Sequence, residues 1–327
     1  MVSICCTTYN HEKYIRDALD GFLMQKTSFK FEVLIHDDAS TDGTADIIRE
    51  YEEQYPDIIK PIYQTVNQYS KSVPITKTYQ IPRASGKYIA MCEGDDFWTD
   101  EYKLQKQFDA LEHNPECVMC THIVMDVDEN GKQLETARPK PELADKIFNN
   151  IISSKELFDN IFIDNIIPFQ TSSFFVKKSV MESYYHNPPS FSIGKGFGDV
   201  PLLWYSITQG SVYFIPEVMS NYRKDCPGGW TVRTYASKDY LVKHFQRLLG
   251  MVQEYNFYTH NQFESSIMKI CAQIEFQLYN AQGKYRKLFK KKYSDMWKKK
   301  NLKEKLYIII FAIFPDGERI YLKLKDR

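Results

Sequence analysis

Two adjacent carboxylates, Asp95 and Asp96, close the segment "KYIAMCEGDDFW", with Glu93 just ahead of them. The apolar run before them has the make-up of a strand rising through a core, where carboxylates are costly without a positive partner. Such a pair can cap a turn, work as an acid–base couple, or bind a hard divalent cation. Mg2+ or Mn2+ held by one or two carboxylates plus substrate phosphates would supply the missing positive charge. A second acidic pair, Asp37-Asp38 in "FEVLIHDDASTDGT", ends another apolar run. If both runs belong to one sheet, the pairs need different partners, because like charges at one edge repel. A further acid, Asp199 in "GFGDVPLLW", stands where an N-cap would, with Pro201 in the first turn of a helical pattern.

The elements that must position these acids alternate along the first third of the chain. "VSICCTT" is expected as a buried strand. In "HEKYIRDALDGFLMQ", Tyr14, Ile15, Ala18, Leu19, Phe22 and Leu23 recur at helical spacing. "FEVLIH" is the next strand, and "DDASTDGT" is a turn opening the helix "ADIIREYEEQY". "IIKPIYQ" suggests a third strand interrupted by Pro61, followed by a helix around 75–84, the strand "KYIAMC" and the helix "EYKLQKQFDALEH". Repeated βα units imply an α/β fold with a mainly parallel sheet flanked by helices, binding ligands beyond the carboxyl ends of its strands. "TTYN" (7–10), "HDDAST" (36–41) and "EGDD" (93–96) should therefore converge on one crevice. Past about residue 115 the order changes: "CVMCTHIVMDVDENGK" reads as a long strand and turn, and "TSSFFVKK" (171–178) as another strand. Beyond Arg233 no strand is expected, only amphipathic helices over 237–300 with polar breaks near 257–262 and 281–284.

Composition narrows the class. The 327 residues are 43% hydrophobic with 15% aromatics, which is ample for a core and excludes disorder of the whole chain. Seven cysteines lack a disulfide spacing, and the lone Cys117-x-x-Cys120 pair sits in an apolar run, so core thiols in a reducing cytoplasm are expected rather than zinc or redox chemistry. "MVSICCTTYN" has no basic leader and enters a strand at once, so no signal peptide is expected. The net charge of zero hides an asymmetry: residues 284–305 hold eleven Lys/Arg against Asp295 and Glu304, leaving the rest acidic. Such a patch suits an anionic surface, or is a solvated helical face.

In "CCTTYNHEKYIRDALDGFLMQ", "FEVLIHDDASTDGT", "ASGKYIAMCEGDDFW" and "GFGDVPLLW", taken in order, the chain resembles the inverting nucleotide-sugar glycosyltransferases of family 2, over roughly residues 1–225. The resemblance implies a GT-A (Rossmann-like) catalytic domain over 1–235, its nucleotide half about 1–115 and its acceptor half about 116–235, with a helical extension over 236–327. It implies transfer of a sugar, with inversion, from a nucleoside diphosphate donor to a carbohydrate or lipid-linked acceptor in cell-surface polysaccharide synthesis. Thr7 and Tyr9 would line the base pocket with Glu12 beside it, and Asp38 would hydrogen-bond the base or ribose, favouring UDP. Asp95 would approach the ribose or metal, and Asp96 would be the main ligand of Mn2+ or Mg2+ bridging the diphosphate. Glu93 replaces the acid many members carry there. Lys77 and Arg83 could contact phosphate, and Asp199 would be the catalytic base. Gln170, Thr171 and Ser172 would face the acceptor. "YRKDCPGGWT" (222–231) resembles the family's mobile segment but lacks its histidine, so Arg223 or Lys224 would meet the phosphates.

Other classes fit less well. A haloacid-dehalogenase phosphatase needs Asp where Ala39 stands in "DDAST", and a nucleotidyltransferase needs a glycine-rich loop that "ICCTTYNHEKY" lacks. An inactive nucleotide-sugar-binding protein would not need Asp38, Asp95, Asp96 and Asp199 together. No nucleic-acid partner is indicated. At the C-terminus, "LYIIIFAIF" (306–314) is too short for a span, which takes about 20 residues. Flanked by lysines and Trp297, it reads as an interfacial helix that brings Ile308, Ile309, Ile310 and Phe311 into the acyl boundary. The chain would then work at the inner face of the plasma membrane. Packing of this run on the protein, or a contact between copies in a homo-oligomer, is the other reading.

Overall fold

The computed structural model describes residues 1–144, 150–163, 165–166, 168–194, 198–224, 226 and 237–314. Apolar strand β1 (Val2–Thr8) lies between β2 (Phe31–Asp37) and β4 (Tyr88–Glu93), parallel to both, and β3 (Ile62–Tyr63) extends the β2 side. The sheet order is β3-β2-β1-β4-β9-β6-β10-β5. Here β5 is Phe97–Trp98, β6 Cys117–Val127, β9 Phe175–Lys177 and β10 Ser211–Arg223; β7 (Gln133–Arg138) pairs with β6 and β8 (Ile151–Ile152) with β10. Strands β9, β7, β8 and β5 run antiparallel to their partners, while β6 and β10 are parallel to each other.

Register decides where the acids fall. Thr7 pairs with both His36 and Glu93, and Thr8 with Asp37, so three strands finish at one level. The three polar clusters predicted to converge do so. Helices α1 (Ile15–Leu23), α2 (Thr44–Gln54) and α3 (Lys103–His113) follow β1, β2 and β5. They bury Ile15, Leu19, Phe22, Ile48, Leu104 and Leu111 against the sheet's Ile4, Ile35, Tyr88 and Ala90. Burying strands on both faces is why they read as continuous apolar runs. Gly21 of α1 rests on the backbone of Trp98, where a Cβ would lie 2.9 Å from its carbonyl oxygen.

Several elements differ from the expected pattern. Residues 75–84 form a π-helical turn (Thr76–Gln80) and a 3-10 turn (Ile81–Arg83) rather than a helix. In "TSSFFVKK" only Phe175–Lys177 is strand, because Thr171–Ser173 makes a tight turn. Strand β10 was not anticipated. Its Pro216 breaks the apparent alternation, and the ladder accommodates it by skipping from Ile215 to Val218, a bulge that hides the proline's missing donor. Helices α4 (Lys178–His186) and α5 (Asp199–Gln209) complete this part. Asp199 is the first helical residue and Gly198 the N-cap.

By contact density the chain divides into Met1–Pro189 with Phe197–Cys226, and Ser190–Gly196 with Pro227–Arg327, as far as those residues are described. The second unit is helical: α6 (Lys238–Tyr258), α7 (Glu264–Ala281), short turns, and α8 (Leu302–Ile313). Ser237 caps α6, and Asn301 with Glu304 forms a reciprocal capping box on α8. All seven cysteines are free, and all but Cys271 are buried.

Candidate active site

The loops after β1 and β2 are laced together before any ligand is considered. Asn10 accepts from Thr41 N at 2.8 Å, Ser40 Oγ accepts from Asn10 N at 2.9 Å, and Thr44 Oγ1 accepts from His11 N at 2.8 Å. Glu12 accepts from Gly43 N at 2.6 Å. Asn10 and Ala39 sit in the left-handed region (φ 57° and 64°), which turns both loops sharply at the strand ends. Asp37 caps its own turn through Ser40. Thr7 and the exposed Tyr9 remain on the open side of this edge.

At the end of β4, Gly94 N donates to Thr7 O at 3.0 Å. A Cβ on Gly94 would stand 2.7 Å from the Thr8 side chain and 3.1 Å from His11 Nδ1, so only glycine lets the two strand ends meet. Around this point four buried polar atoms have no protein partner: Thr8 Oγ1, His11 Nδ1, Glu93 Oε2 and Asp96 Oδ2. Orphans of this kind are rare in a core and point to something that is bound. Asp95 is the accessible acid, its side chain 22% exposed and 3.9 Å from His11 Nε2, whereas Asp96 is 1% exposed.

The positive charge beside this pair arrives on the unanticipated β10. Arg223 N donates to Asp96 Oδ1 at 3.0 Å, and its guanidinium donates to Asp95 O at 2.7 Å. The guanidinium also pairs with Asp17 and lies over the rings of Phe97 (4.6 Å) and Tyr14 (4.9 Å). Even so, burial and then the neighbouring Asp95 and Glu93 charges hold the Asp96 carboxyl well above the usual carboxylate range. Burial, Asp95 and Asp199 together push Glu93 up to about 8. Asp199 is raised by burial, opposed by its hydrogen bond from Val200 N (2.8 Å) and by the charge of Arg138. Glu93 of β4 thus feels the charge of Asp199 on α5.

A second polar chain borders Asp199. Arg138 donates to Gln170 Oε1 and to Asp126 Oδ1, both at 3.1 Å, and stacks on Tyr222 at 4.5 Å. Lys224 pairs with Asp126 at 3.3 Å. The side chain of Thr171 lies near Glu93 and tempers the rise of its pKa. Ser172 O accepts from Trp98 Nε1 at 3.2 Å, and its hydroxyl meets Ser220 at 3.1 Å.

Measured against the expected roles, the structure brings Thr7, Glu93, Asp95, Asp96, Thr171 and Asp199 together and redistributes the others. Asp38 is buried, and both its oxygens accept from backbone N–H groups, Gln68 at 2.7 Å and Tyr69 at 3.0 Å, so it anchors the 67–69 loop instead of offering a free edge to a base. Glu12 is committed to Gly43 and Asp42 within the loop lacing. Arg223, 4% exposed, is a post under Asp95 and Asp96 and not an open phosphate contact. Ser172 is fully buried and belongs to the floor. Arg83 donates to Lys60 O at 3.2 Å, away from the acids. Lys77 is exposed on the 76–80 turn. Gly196 and residues 225 and 227–231 of the suspected mobile segment lie outside the described residues. Arg138 and His11 were missed: His11 stands inside "TTYNHEKY" and was legible, but Arg138 had no local motif.

Hard oxygen donors suit a hard cation. Among the described residues no group of three or more His, Cys, Asp or Glu forms a closed metal cage. Asp95 and the orphaned oxygen of Asp96 instead make a partial donor set of the kind that substrate phosphates complete.

The family model described as "Glycosyl transferase family 2" matches residues 3–183. An uncharacterized protein of Mycobacterium tuberculosis is 35% identical over 236 residues, covering 70% of this chain and 60% of that protein. The putative teichuronic acid biosynthesis glycosyltransferase TuaG of Bacillus subtilis is 33% identical over 111 residues, 34% of this chain and 42% of TuaG. The chain thus spans less than two thirds of these relatives. Among solved structures, S. aureus TarS 1–349 in complex with UDP superposes with a TM-score of 0.56 at 14% identity, covering 90% of this chain and 77% of that one. The mannosyltransferase PcManGT from Pyrobaculum calidifontis, in complex with GDP-Man and Mn2+, gives 0.52 at 15% identity, covering 96% and 87%. At such identities the likeness carries the fold, a curled, mainly parallel GT-A sheet flanked by helices.

Proposed function

This chain belongs to glycosyl transferase family 2, and from that premise we propose that it transfers a sugar, with inversion, from a nucleoside diphosphate donor to a carbohydrate or lipid-linked acceptor. The observation that carries the reading is that Asp199 lies near enough to Glu93, the first acid of the Glu93–Asp95–Asp96 cluster, for its charge to raise the Glu93 pKa, so that acids of two distant segments share one neighbourhood. The donor is UDP-linked, the setting is cell-surface polysaccharide synthesis, and the chain works at the cytoplasmic face of a membrane. The UDP and GDP-Man complexes of the structural neighbours support a nucleoside diphosphate donor.

In this mechanism the acceptor oxygen attacks the anomeric carbon, its proton passes to a carboxylate oxygen of Asp199, and the bond from the anomeric carbon to the diphosphate oxygen breaks. A base whose pKa is raised by burial is better matched to that proton than an ordinary aspartate. Arg138 keeps the shift in check and, through Gln170, fixes the wall beside the base. Mn2+ or Mg2+, when bound by Asp95 and Asp96, would stabilise negative charge on the leaving diphosphate. Thr7 and Tyr9 line the base pocket, whose far wall Asp38 and Glu12 hold in place. Of Lys77, Arg83, Arg223 and Lys224, Lys77 and Lys224 are left for phosphate, Lys224 by exchanging Asp126 for it.

Asp199→Asn keeps the size and cannot take the proton. Turnover of a UDP-sugar should fall by about 10²–10⁴, as for other positioned bases, with donor binding retained. Asp95→Ala should instead remove Mn2+-dependent UDP binding, read by calorimetry, while the melting temperature of the metal-free protein stays put. Parental turnover in Asp199→Asn would reject the base, and unchanged Mn2+-dependent affinity in Asp95→Ala would reject the cation site.

A further inference from the structure

Helix α8 carries apolar side chains on every side, and the fold uses one side only. Ile308, Phe311 and Ala312 are buried with Phe276, Tyr285, Leu288 and Tyr293. The opposite face is bare: Leu302, Leu306, Ile309, Ile310 and Ile313 are 73, 49, 38, 49 and 59% exposed. Their spacing of i, i+4, i+7, i+8 and i+11 makes one continuous stripe. At about 100° per residue, Lys303 and Lys305 fall on opposite margins of that stripe. Phe314 (66% exposed) prolongs it, and Phe289 (51% exposed) stands beside the exposed Lys290 and Lys291.

An apolar stripe of this size on a surface is an interaction site. Its occupant follows from charge. Residues 284–305 hold eleven Lys/Arg and two acids, so a second copy laid face to face on the stripe would set two basic patches against each other. An anionic sheet of headgroups meets the stripe and the Lys303 and Lys305 on its margins at once. Twelve residues of helix reach about 18 Å, well short of a bilayer core, so the helix lies along the surface. No helix among the described residues is long and apolar enough to cross.

We propose that α8 docks in the headgroup layer of an anionic membrane, with Leu302, Leu306, Ile309, Ile310 and Ile313 entering the acyl boundary and Lys303 and Lys305 pairing with headgroups on either side. This revises the residues expected from sequence: Ile308 and Phe311 are withdrawn into the core, and Leu302, Leu306 and Ile313 take their place. Only the usefulness of such docking, a shared surface with a lipid-linked acceptor, rests on the function proposed above.

Flotation of the full chain with phosphatidylcholine vesicles, with and without phosphatidylglycerol, tests it without any turnover. The chain should float with the anionic vesicles, stay behind with the neutral ones, and be released by salt. Replacing Lys303 and Lys305 by Gln should weaken binding about fivefold per lysine. Leu306→Asp with Ile310→Asp should abolish it while the melting temperature holds, because both side chains already face water. Equal binding to both vesicle types, no binding to either, or full binding by the Asp double variant would overturn the proposal. So would a dimer that the double variant dissociates with no effect on lipid. Thermal stabilisation by UDP and Mn2+ in the same samples reports on the glycosyl-transfer reading separately.

Discussion

Lys103 is fully buried with its ammonium 3.8 Å from the centre of the Trp98 ring and 2.7 Å from Gln107 Oε1. Burial lowers its pKa from 10.5 to about 7, against the opposing pull of Cys92, Cys120 and Asp100; its own charge in turn helps depress the buried His122. An amine whose folded pKa lies below its unfolded value leaves the unfolded chain with the extra proton between those two values. The contribution of Lys103 to stability therefore rises with pH from about 7 to 10.5 and is lowest below that window. Lys103→Met removes the titration. At pH 6 the variant should gain on the parent relative to its standing at pH 10, the difference closing by about 1.4 kcal/mol per pH unit across the window. Urea unfolding at several pH values measures this, and parallel pH profiles for parent and variant would contradict it. The same residue scale explains the acids: Asp95 and Asp96 differ by one position, yet one faces the crevice and the other is sealed against Arg223.

Strand β1 owes its central place to apolar residues on both faces, and its end is where two loops and β4 must close on one another. Gly94 is the hinge of that closure. Gly94→Ala would put a methyl group 2.7 Å from Thr8 Cβ and Oγ1 and 3.1 Å from His11 Nδ1, so that the end of β1 and the turn after β4 must part to admit it. Overpacking of this kind costs about 1–3 kcal/mol. Chemical denaturation should show a loss of that order, and stabilisation by UDP with Mn2+ should shrink, because the shift falls on Thr7, His11 and Glu93 together. A variant with parental stability and parental UDP response would show that the strand ends can part freely. The loops on either side are self-supporting by comparison, since Asn10, Glu12, Asp38 and Asp42 satisfy their backbone donors locally.

At the scale of the whole molecule, the chain relies on burial and not on cross-links. All seven cysteines are free, and only Cys271 is even partly exposed, with its thiol pushed up to about 11 by burial and by Glu275. Thiolates are the reactive form, so an aromatic disulfide reagent at neutral pH should label the native protein slowly and all seven sites on unfolding. Rapid labelling of several thiols in the native state would mean that the cores open readily. The two units also divide the charge: the crevice is acidic and α8 with its approaches is basic, an arrangement concealed by a net charge of zero.

Much of this was decided locally. Continuous apolar runs, turn residues and helical spacing were enough to place β1, β2, β4, α1, α2 and α3, because each depends on near neighbours along the chain and on burial of both sheet faces. The acids at the strand ends were legible for the same reason: a carboxylate pair after a buried strand is a local conflict that announces itself. What tertiary structure alone decided was which of those groups remain free. Asp38 is consumed by the backbone donors of Gln68 and Tyr69 and Glu12 by that of Gly43, and Arg223 reaches Asp95 and Asp96 from 128 and 127 positions away on a strand disguised by Pro216. Arg138 comes to Asp199 by strand pairing that no spacing foretells. On α8, the sequence showed an apolar run over 306–314, but only packing against Tyr285 and Phe276 determined which side is left for a partner.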